Sequence, residues 1–323
     1  MNDFLKNIPT KQNILEALIR IEPYINKTPV FTCENINKIT NCSIYFKSEN
    51  FQKIGAFKSR GAINALFSLD NSMLINGVAT HSSGNHAQAL ARAASLKNIE
   101  SHIVMPNNSS LVKVNAVKQY GGNIYFCNPN VIDREKKLKE VIKKTNAIEI
   151  HPYNNYSIIA GQATATYEFI QQLDFAPEII MAPVGGGGLL SGTALSSYYF
   201  SSNSIVIGAE PLNANDAFES FYANKLLPAK QDHTIADGLR TSLGSLTFPI
   251  IRKYVNSIIT AREETIIFAM KLIWERMKIV IEPSSAVPLA CILENSDIFR
   301  NKTVGIILSG GNVDLSNLPW QTI

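Results

Sequence analysis

The chain has 323 residues, 46% hydrophobic and 17% charged, with 30 basic against 26 acidic side chains and a net charge of +4. That balance describes a globular protein with ample chain for a large core, and it excludes a disordered one. The basic residues are spread over the whole length without a basic run, so neither nucleic acid nor a membrane surface is expected as the main partner.

The opening Met1-Asn2-Asp3-Phe4-Leu5-Lys6 lacks the apolar stretch and cleavage site of a signal peptide. No apolar run approaches the roughly 18 residues of a membrane span. Cys33, Cys42, Cys127 and Cys291 are scattered without metal-ligand spacing. Reduced thiols in a cytoplasmic protein are the expectation.

Residues 11–25 carry Ile14, Ala17, Leu18 and Ile21 at helical spacing before a break at Pro23. Residues 43–47 read as a strand. Then comes Ser48-Glu49-Asn50-Phe51-Gln52-Lys53-Ile54-Gly55-Ala56-Phe57-Lys58-Ser59-Arg60-Gly61-Ala62, a loop running into a helix over 60–66. Alone, Lys58 reads as a surface lysine, as most lysines are. Kept out of water, it would shift toward the neutral amine that condenses with a carbonyl.

From about residue 75 the pattern alternates. Strands over 77–81, 101–105 and 123–127 are separated by helices over 87–96, 111–120 and 134–145. A second series follows: a helix over 158–173, a buried strand over 178–184, a helix over 189–200 and a strand over 204–210. Helices over 263–277 and 284–293 and a last strand over 303–309 complete it. Strands separated by single helices imply parallel sheets flanked by helices, an α/β fold. The expected organisation is two-lobed, with a large unit from 1–74 and 151–323 and a small inserted unit at 75–150.

Three turns at strand ends carry the chemistry. Gly185-Gly186-Gly187-Gly188 lies between a strand and a helix, where backbone N–H groups face an anion and the helix dipole adds attraction. It lacks the Gly-Lys-Ser/Thr ending of an ATP loop and the spacing of a dinucleotide fingerprint. Ser82-Ser83-Gly84-Asn85-His86 offers hydroxyls, an amide and a helix N-terminus, suited to a carboxylate. Some of this is ordinary N-capping. Ser309-Gly310-Gly311-Asn312 closes the last strand in the same manner. Such turns at strand C-termini point to one crevice.

Taken together, these runs resemble the fold-type II pyridoxal-phosphate enzymes, with a tryptophan synthase β-like fold. Within that family the similarity is greatest to serine racemases and short serine/threonine dehydratases. Matching runs extend along the chain, among them His151-Pro152, Ile159-Ala160-Gly161-Gln162, Gly208-Ala209-Glu210-Pro211, Ile235-Ala236-Asp237-Gly238 and Ile281-Glu282-Pro283.

The resemblance implies roles. Lys58 holds pyridoxal phosphate covalently, Gly185 to Gly188 bind its phosphate, Asn85 bonds the ring oxygen and Ser309 faces the pyridine nitrogen. A neutral hydroxyl there favours elimination and proton exchange over chemistry that needs a long-lived carbanion. Ser82, Ser83, Gly84, Asn85 and His86 bind the substrate. Ser83 stands where racemases keep a second base, opposite Lys58; a role confined to holding the substrate carboxylate would suffice for a dehydratase. Glu210, the Ala214 carbonyl and Asp216 resemble a divalent-cation site for Mg²⁺, Ca²⁺ or Mn²⁺; solvated loop acids are the plain alternative. Arg134 and Glu282 lie where racemases pair the two lobes. A homodimer is implied. Tyr153 departs from the mammalian racemases, which carry a polar residue there.

The expected activity is serine racemisation with serine/threonine dehydration on a small amino-acid substrate. Two enzyme alternatives stand beside it, a 3-hydroxyaspartate dehydratase and a dedicated catabolic threonine/serine dehydratase. The former needs a cation near the substrate side chain, which the sequence does not locate. A phosphorylated-ligand-binding regulator is the non-enzyme alternative; it leaves Lys58 and Ser83 without a task.

Overall fold

The computed structural model describes residues 7–229 and 233–321. Among them ten strands form two sheets. In chain order the strands are β1 (Val30–Thr32), β2 (Ser43–Ser48), β3 (Val78–His81), β4 (Ser101–Pro106) and β5 (Asn123–Cys127). β6 (Ile148–Glu149), β7 (Ile179–Pro183), β8 (Ile205–Pro211), β9 (Ser257–Ala261) and β10 (Thr303–Leu308) follow.

The larger sheet has the order β1-β2-β10-β7-β8-β9 and is parallel except for β1, which pairs antiparallel with β2. The smaller sheet, β5-β4-β3-β6, is parallel throughout. All four of its strands come from residues 78–149.

Strands buried on both faces need no polar alternation. β7 and β10 show this: Met181 and Ile306 pack on one side of the sheet, Ala182 and Ile307 on the other. The helices Glu263–Met277 and Pro283–Glu294 cover the first side. Tyr156–Gln172 and Gly188–Phe200 lie on the second, through Phe169, Leu189 and Leu190.

A buried ionic network fixes the lysine-bearing helix Lys58–Phe67. Arg60 is fully buried and donates to Glu49 at 2.7 and 2.8 Å and to Glu168 at 3.0 and 3.2 Å. Lys47, on β2, donates to Glu168 Oε1 at 2.5 Å and to the Thr28 carbonyl at 2.8 Å. Two cations face two carboxylates, so each charge of this network has a partner. The helix also crosses Tyr156–Gln172 closely: a Cβ on Gly161 would lie 2.6 Å from Gly61 Cα. Gln162 Oε1 accepts from the Gly61 N–H at 3.2 Å there.

The sequence reading needs several corrections. The lysine-bearing helix starts at Lys58 itself, not at Arg60. The helix expected over 134–145 starts at Val131, capped by Asn130, whose side chain accepts from the Asp133 N–H. The helix expected over 158–173 starts at Tyr156, because Asn155 caps the N–H groups of Ser157 and Ile158. Helices Glu34–Thr40, Asp216–Ala223 and Thr247–Tyr254 and strands β6 and β9 had no counterpart in the reading.

Candidate active site

Lys58 is held at the C-terminal ends of β2 and β10. The Phe57 N–H donates to the Ser309 carbonyl at 3.0 Å, and Ala56 bridges to Gly310. Ile54 (φ 60°) and Gly55 (φ 71°) form the left-handed turn that brings the chain there. Lys58 Nζ donates to the Pro152 carbonyl at 2.9 Å. Burial pulls the amine down to about 8, against the opposing pull of Glu282. Near neutrality a useful fraction is therefore unprotonated.

The Ser82–Asn85 turn follows β3 and faces this amine's surroundings. A Cβ on Gly84 would meet nothing within 4 Å, so the turn borders open space. Its N–H donates to Ser82 Oγ at 3.3 Å. Among the described residues no group bonds the partly exposed Ser83 hydroxyl. Asn85 Nδ2 donates to both oxygens of Glu282 at 2.9 and 3.1 Å, and its Oδ1 accepts from Asn312 at 2.8 Å. Asn312 also donates to the Ile54 carbonyl at 2.7 Å. Lys58, Asn85, Glu282 and the turn after β10 thus form one connected group. His86 turns away from the opening: its ring is buried and lies 3.1 Å from the Ile150 carbonyl. Burial, with Lys58 beside it, holds its imidazole well below the usual range.

The four glycines run from β7 into the helix Gly188–Phe200, with Gly187 at φ +88°. Among the described residues no acceptor is bonded to the N–H groups of Gly185, Gly186 or Gly187. These are the donors an anion requires at a helix N-terminus. The Gly186 carbonyl, in contrast, is taken by Thr247 Oγ1 at 2.8 Å. The absence of side chains has a second cause: a Cβ on Gly186 would lie 2.3 Å from the Tyr153 ring. Burial pushes that phenol up to about 12, so it stays protonated.

Ser309 Oγ lies 3.1 Å from Ser285 Oγ, which in turn accepts from the Gly310 N–H at 2.8 Å. The sequence reading missed Ser285 and Thr247. Both are hydroxyls within helical runs, where nothing local distinguishes them.

Glu210, at the end of β8, is buried and caps the helix Asp216–Ala223 by accepting from the Ala217 N–H (2.9 Å) and the Phe218 N–H (2.7 Å). Ala214 lies in the turn between them, and Asp216 is also buried. Burial and the neighbouring Asp216 hold the Glu210 carboxyl well above its usual range. Among the described residues no group of three or more His, Cys, Asp or Glu side chains converges on one point. Arg134 and Glu282 are not paired here. Glu282 takes its side-chain partner from Asn85, while Arg134 Nε is buried without a hydrogen-bond partner among the described residues. Arg134 acts electrostatically on His81 and Tyr153, and the His81 and Tyr153 rings flank His151 at 6.1 and 4.6 Å.

An amine with a lowered pKa, three free N–H donors at a helix N-terminus and a neutral hydroxyl pair fit pyridoxal phosphate. Comparison with known proteins agrees. Residues 21–310 match the family model described as "Pyridoxal-phosphate dependent enzyme". The chain is 46% identical over 314 residues to the beta-hydroxyaspartate dehydratase of Paracoccus denitrificans, covering 97% of this chain and 99% of that one. It is 48% identical over 314 residues to the serine racemase of Dictyostelium discoideum, with 96% of each chain covered. Its fold superposes on the structure of maize serine racemase with a TM-score of 0.93 at 42% identity, over 97% of this chain and 96% of that one. Among the described residues no helix is long and apolar enough to cross a membrane.

Proposed function

The chain belongs to the pyridoxal-phosphate dependent enzymes, within the branch of amino-acid racemases and dehydratases, and on that premise we propose that it racemises and dehydrates serine, with threonine as a further dehydration substrate. The observation that carries this reading is that Lys58 stands at the same strand ends as the Gly185, Gly186 and Gly187 N–H groups, to which no acceptor is bonded among the described residues.

The cofactor, when bound, supplies the electron sink that makes an amino acid's α-proton removable. The N–H groups of Gly185, Gly186, Gly187 and Gly188 would hold its phosphate. Lys58 would hold it covalently at rest, and the same amine, when free, would move the α-proton on one face. Ser83, whose hydroxyl has no hydrogen-bond partner among the described residues, would move a proton on the opposite face, which racemisation requires. The Ser82–Asn85 turn would bind the substrate carboxylate with hydroxyl and backbone N–H donors at the start of the helix Asn85–Leu96, the Asn85 side-chain amide being held by Glu282. Ser309 would offer the ring nitrogen a neutral hydroxyl, beside Ser285, which donates to the Gly310 carbonyl. Loss of the β-hydroxyl as water after the shared first step would leave an enamine, which a water molecule hydrolyses to a keto acid and ammonia.

A divalent cation, Mg²⁺ with Ca²⁺ or Mn²⁺ as substitutes, is proposed at Glu210, the Ala214 carbonyl and Asp216. The mutual repulsion of two buried carboxylates is relieved by such an ion. We further read 1–74 with 151–323 as the large lobe, 75–150 as the small one, and the protein as a cytoplasmic homodimer.

A second reading, dehydration of 3-hydroxyaspartate, is favoured by one observation. Arg134, whose buried Nε has no hydrogen-bond partner among the described residues and which acts on Tyr153 beside the glycine loop, would serve as the cation that a substrate's second carboxylate requires. Purified protein is incubated with L-serine, L-threonine and 3-hydroxyaspartate, and keto acid and D-serine are measured. The first reading expects D-serine and pyruvate, both abolished in Lys58→Ala; turnover of hydroxyaspartate alone replaces it with the second. Ser83→Ala is expected to lose racemisation far more than dehydration, and equal loss of both argues against a two-base role.

A further inference from the structure

The rim of the cleft carries an ion pair that the chemistry above does not use. Lys113 Nζ bonds the Asp237 carboxylate. Lys113 lies in the helix Leu111–Gln119, which follows β4 of the smaller sheet. Asp237 opens the turn Asp237–Leu239 beside the larger sheet.

That turn is seated directly on the glycine loop. A Cβ on Gly185 would lie 2.9 Å from Leu239 Cα and 3.2 Å from the Gly238 carbonyl. On its other side the turn touches Ser284, whose Oγ would stand 2.9 Å from a Cβ on Gly238. Its own hydrogen bonds are local: Asp237 N–H to the Ile235 carbonyl and Leu239 N–H to the Ala236 carbonyl, both 2.9 Å. Neighbouring Arg240 also bonds back within the segment, to the Thr234 carbonyl. Lys113 supplies the link from across the cleft. Both partners also act on Glu282, Asp237 raising and Lys113 lowering its pKa, which places the pair within reach of the Asn85 anchor.

We propose that Lys113 is a positioning residue: its pairing with Asp237 holds the Asp237–Leu239 turn against Gly185, and so holds the glycine N–H groups in the arrangement that an anion needs. The inference rests on the phosphate-cradle reading of that loop but not on which amino acid is the substrate.

The pair is partly exposed, so its two members can be changed without opening the core, and salt weakens it. The test uses the holoenzyme as isolated, with Lys113→Met, Asp237→Asn and the charge-swapped Lys113→Asp/Asp237→Lys. Amide hydrogen exchange is followed at 185–188 and 237–241, and pyridoxal phosphate affinity is measured by dialysis. Each single variant is expected to speed exchange in both segments and to weaken cofactor binding about two- to five-fold, the range of a partly exposed pair. The swapped variant returns both toward wild type, and added salt weakens wild type more than the singles. Wild-type exchange at 185–188 in the single variants, or a swap no better than the singles, overturns the proposal. A protein that binds no pyridoxal phosphate sinks the cofactor reading instead, while the exchange comparison still decides the clamp.

Discussion

At the scale of single residues, the proposed chemistry turns on Lys58. Its amine is lowered to about 8 by burial, while Glu282 pulls it upward. Only the neutral amine attacks a carbonyl. Protein stripped of cofactor should therefore take up pyridoxal phosphate faster as pH rises, with a midpoint near 8. The rate is read from the growth of visible absorbance after mixing. A midpoint near the usual lysine value of 10.5 would show that burial does not act on this amine. The loop before Lys58 was legible as chemistry only through its resemblance to a family, because a lysine's environment is set by distant residues. Pro152 and Glu282, which bond or bias this amine, lie 94 and 224 positions further along.

At the scale of elements, the buried network of Lys47, Glu49, Arg60 and Glu168 joins β2, the helix Lys58–Phe67 and the helix Tyr156–Gln172. Removing one member leaves an uncompensated buried charge. Arg60→Met should cost about 3–5 kcal/mol in denaturant unfolding. A loss below about 1 kcal/mol, the worth of an exposed pair, would mean the network is hydrated. A second junction, β8 to the helix Asp216–Ala223, carries Glu210 and Asp216. Glu210 is pushed well upward, so binding a cation there must release a proton. Millimolar Mg²⁺ should raise the melting temperature, more at mildly alkaline than at mildly acidic pH, and Asp216→Asn should abolish the rise. An equal rise in Asp216→Asn would place the ion elsewhere. Regular elements with strong apolar runs, such as β7 and β10, were legible from sequence because both their faces are buried. The network was not: Lys47 sits at an alternating position of β2, and its partners Glu168 and Gln172 arrive from a helix more than a hundred residues away. The stretch 211–262 was read least well, since its helices are short and its one strand follows them on a sheet edge.

At the scale of the whole molecule, the two sheets direct their strand C-termini to a common region, and Asn85 ties them together there. Its amide spans Glu282 and Asn312. The Glu282 carboxyl is only 5% exposed and is raised to about 7, first by burial and then by Asp237; the Asn85 bond and Lys113 oppose the shift. In the unfolded chain the same group titrates near 4.5. The folded protein therefore binds this proton more tightly than the unfolded one. Below about 4.5 both states are protonated and the group costs nothing. Between about 4.5 and 7 the unfolded chain gives up its proton first, so stability falls as pH rises. Above about 7 the ionised carboxylate is buried at a cost of about 3 kcal/mol, an order-of-magnitude figure at about 1.4 kcal/mol per pKa unit. Glu282→Gln keeps an acceptor for Asn85 and cannot ionise. Its stability relative to wild type, from urea unfolding of the cofactor-free protein, should rise across that window and level off above it. Groups not coupled to Glu282 are common to both proteins and cancel in the difference, and Lys58, which Glu282 raises, titrates near 8, above that window. Two curves that stay parallel through the window would mean that Glu282 is not buried against Asn85, and that the contact joining the two sheets is made by other residues.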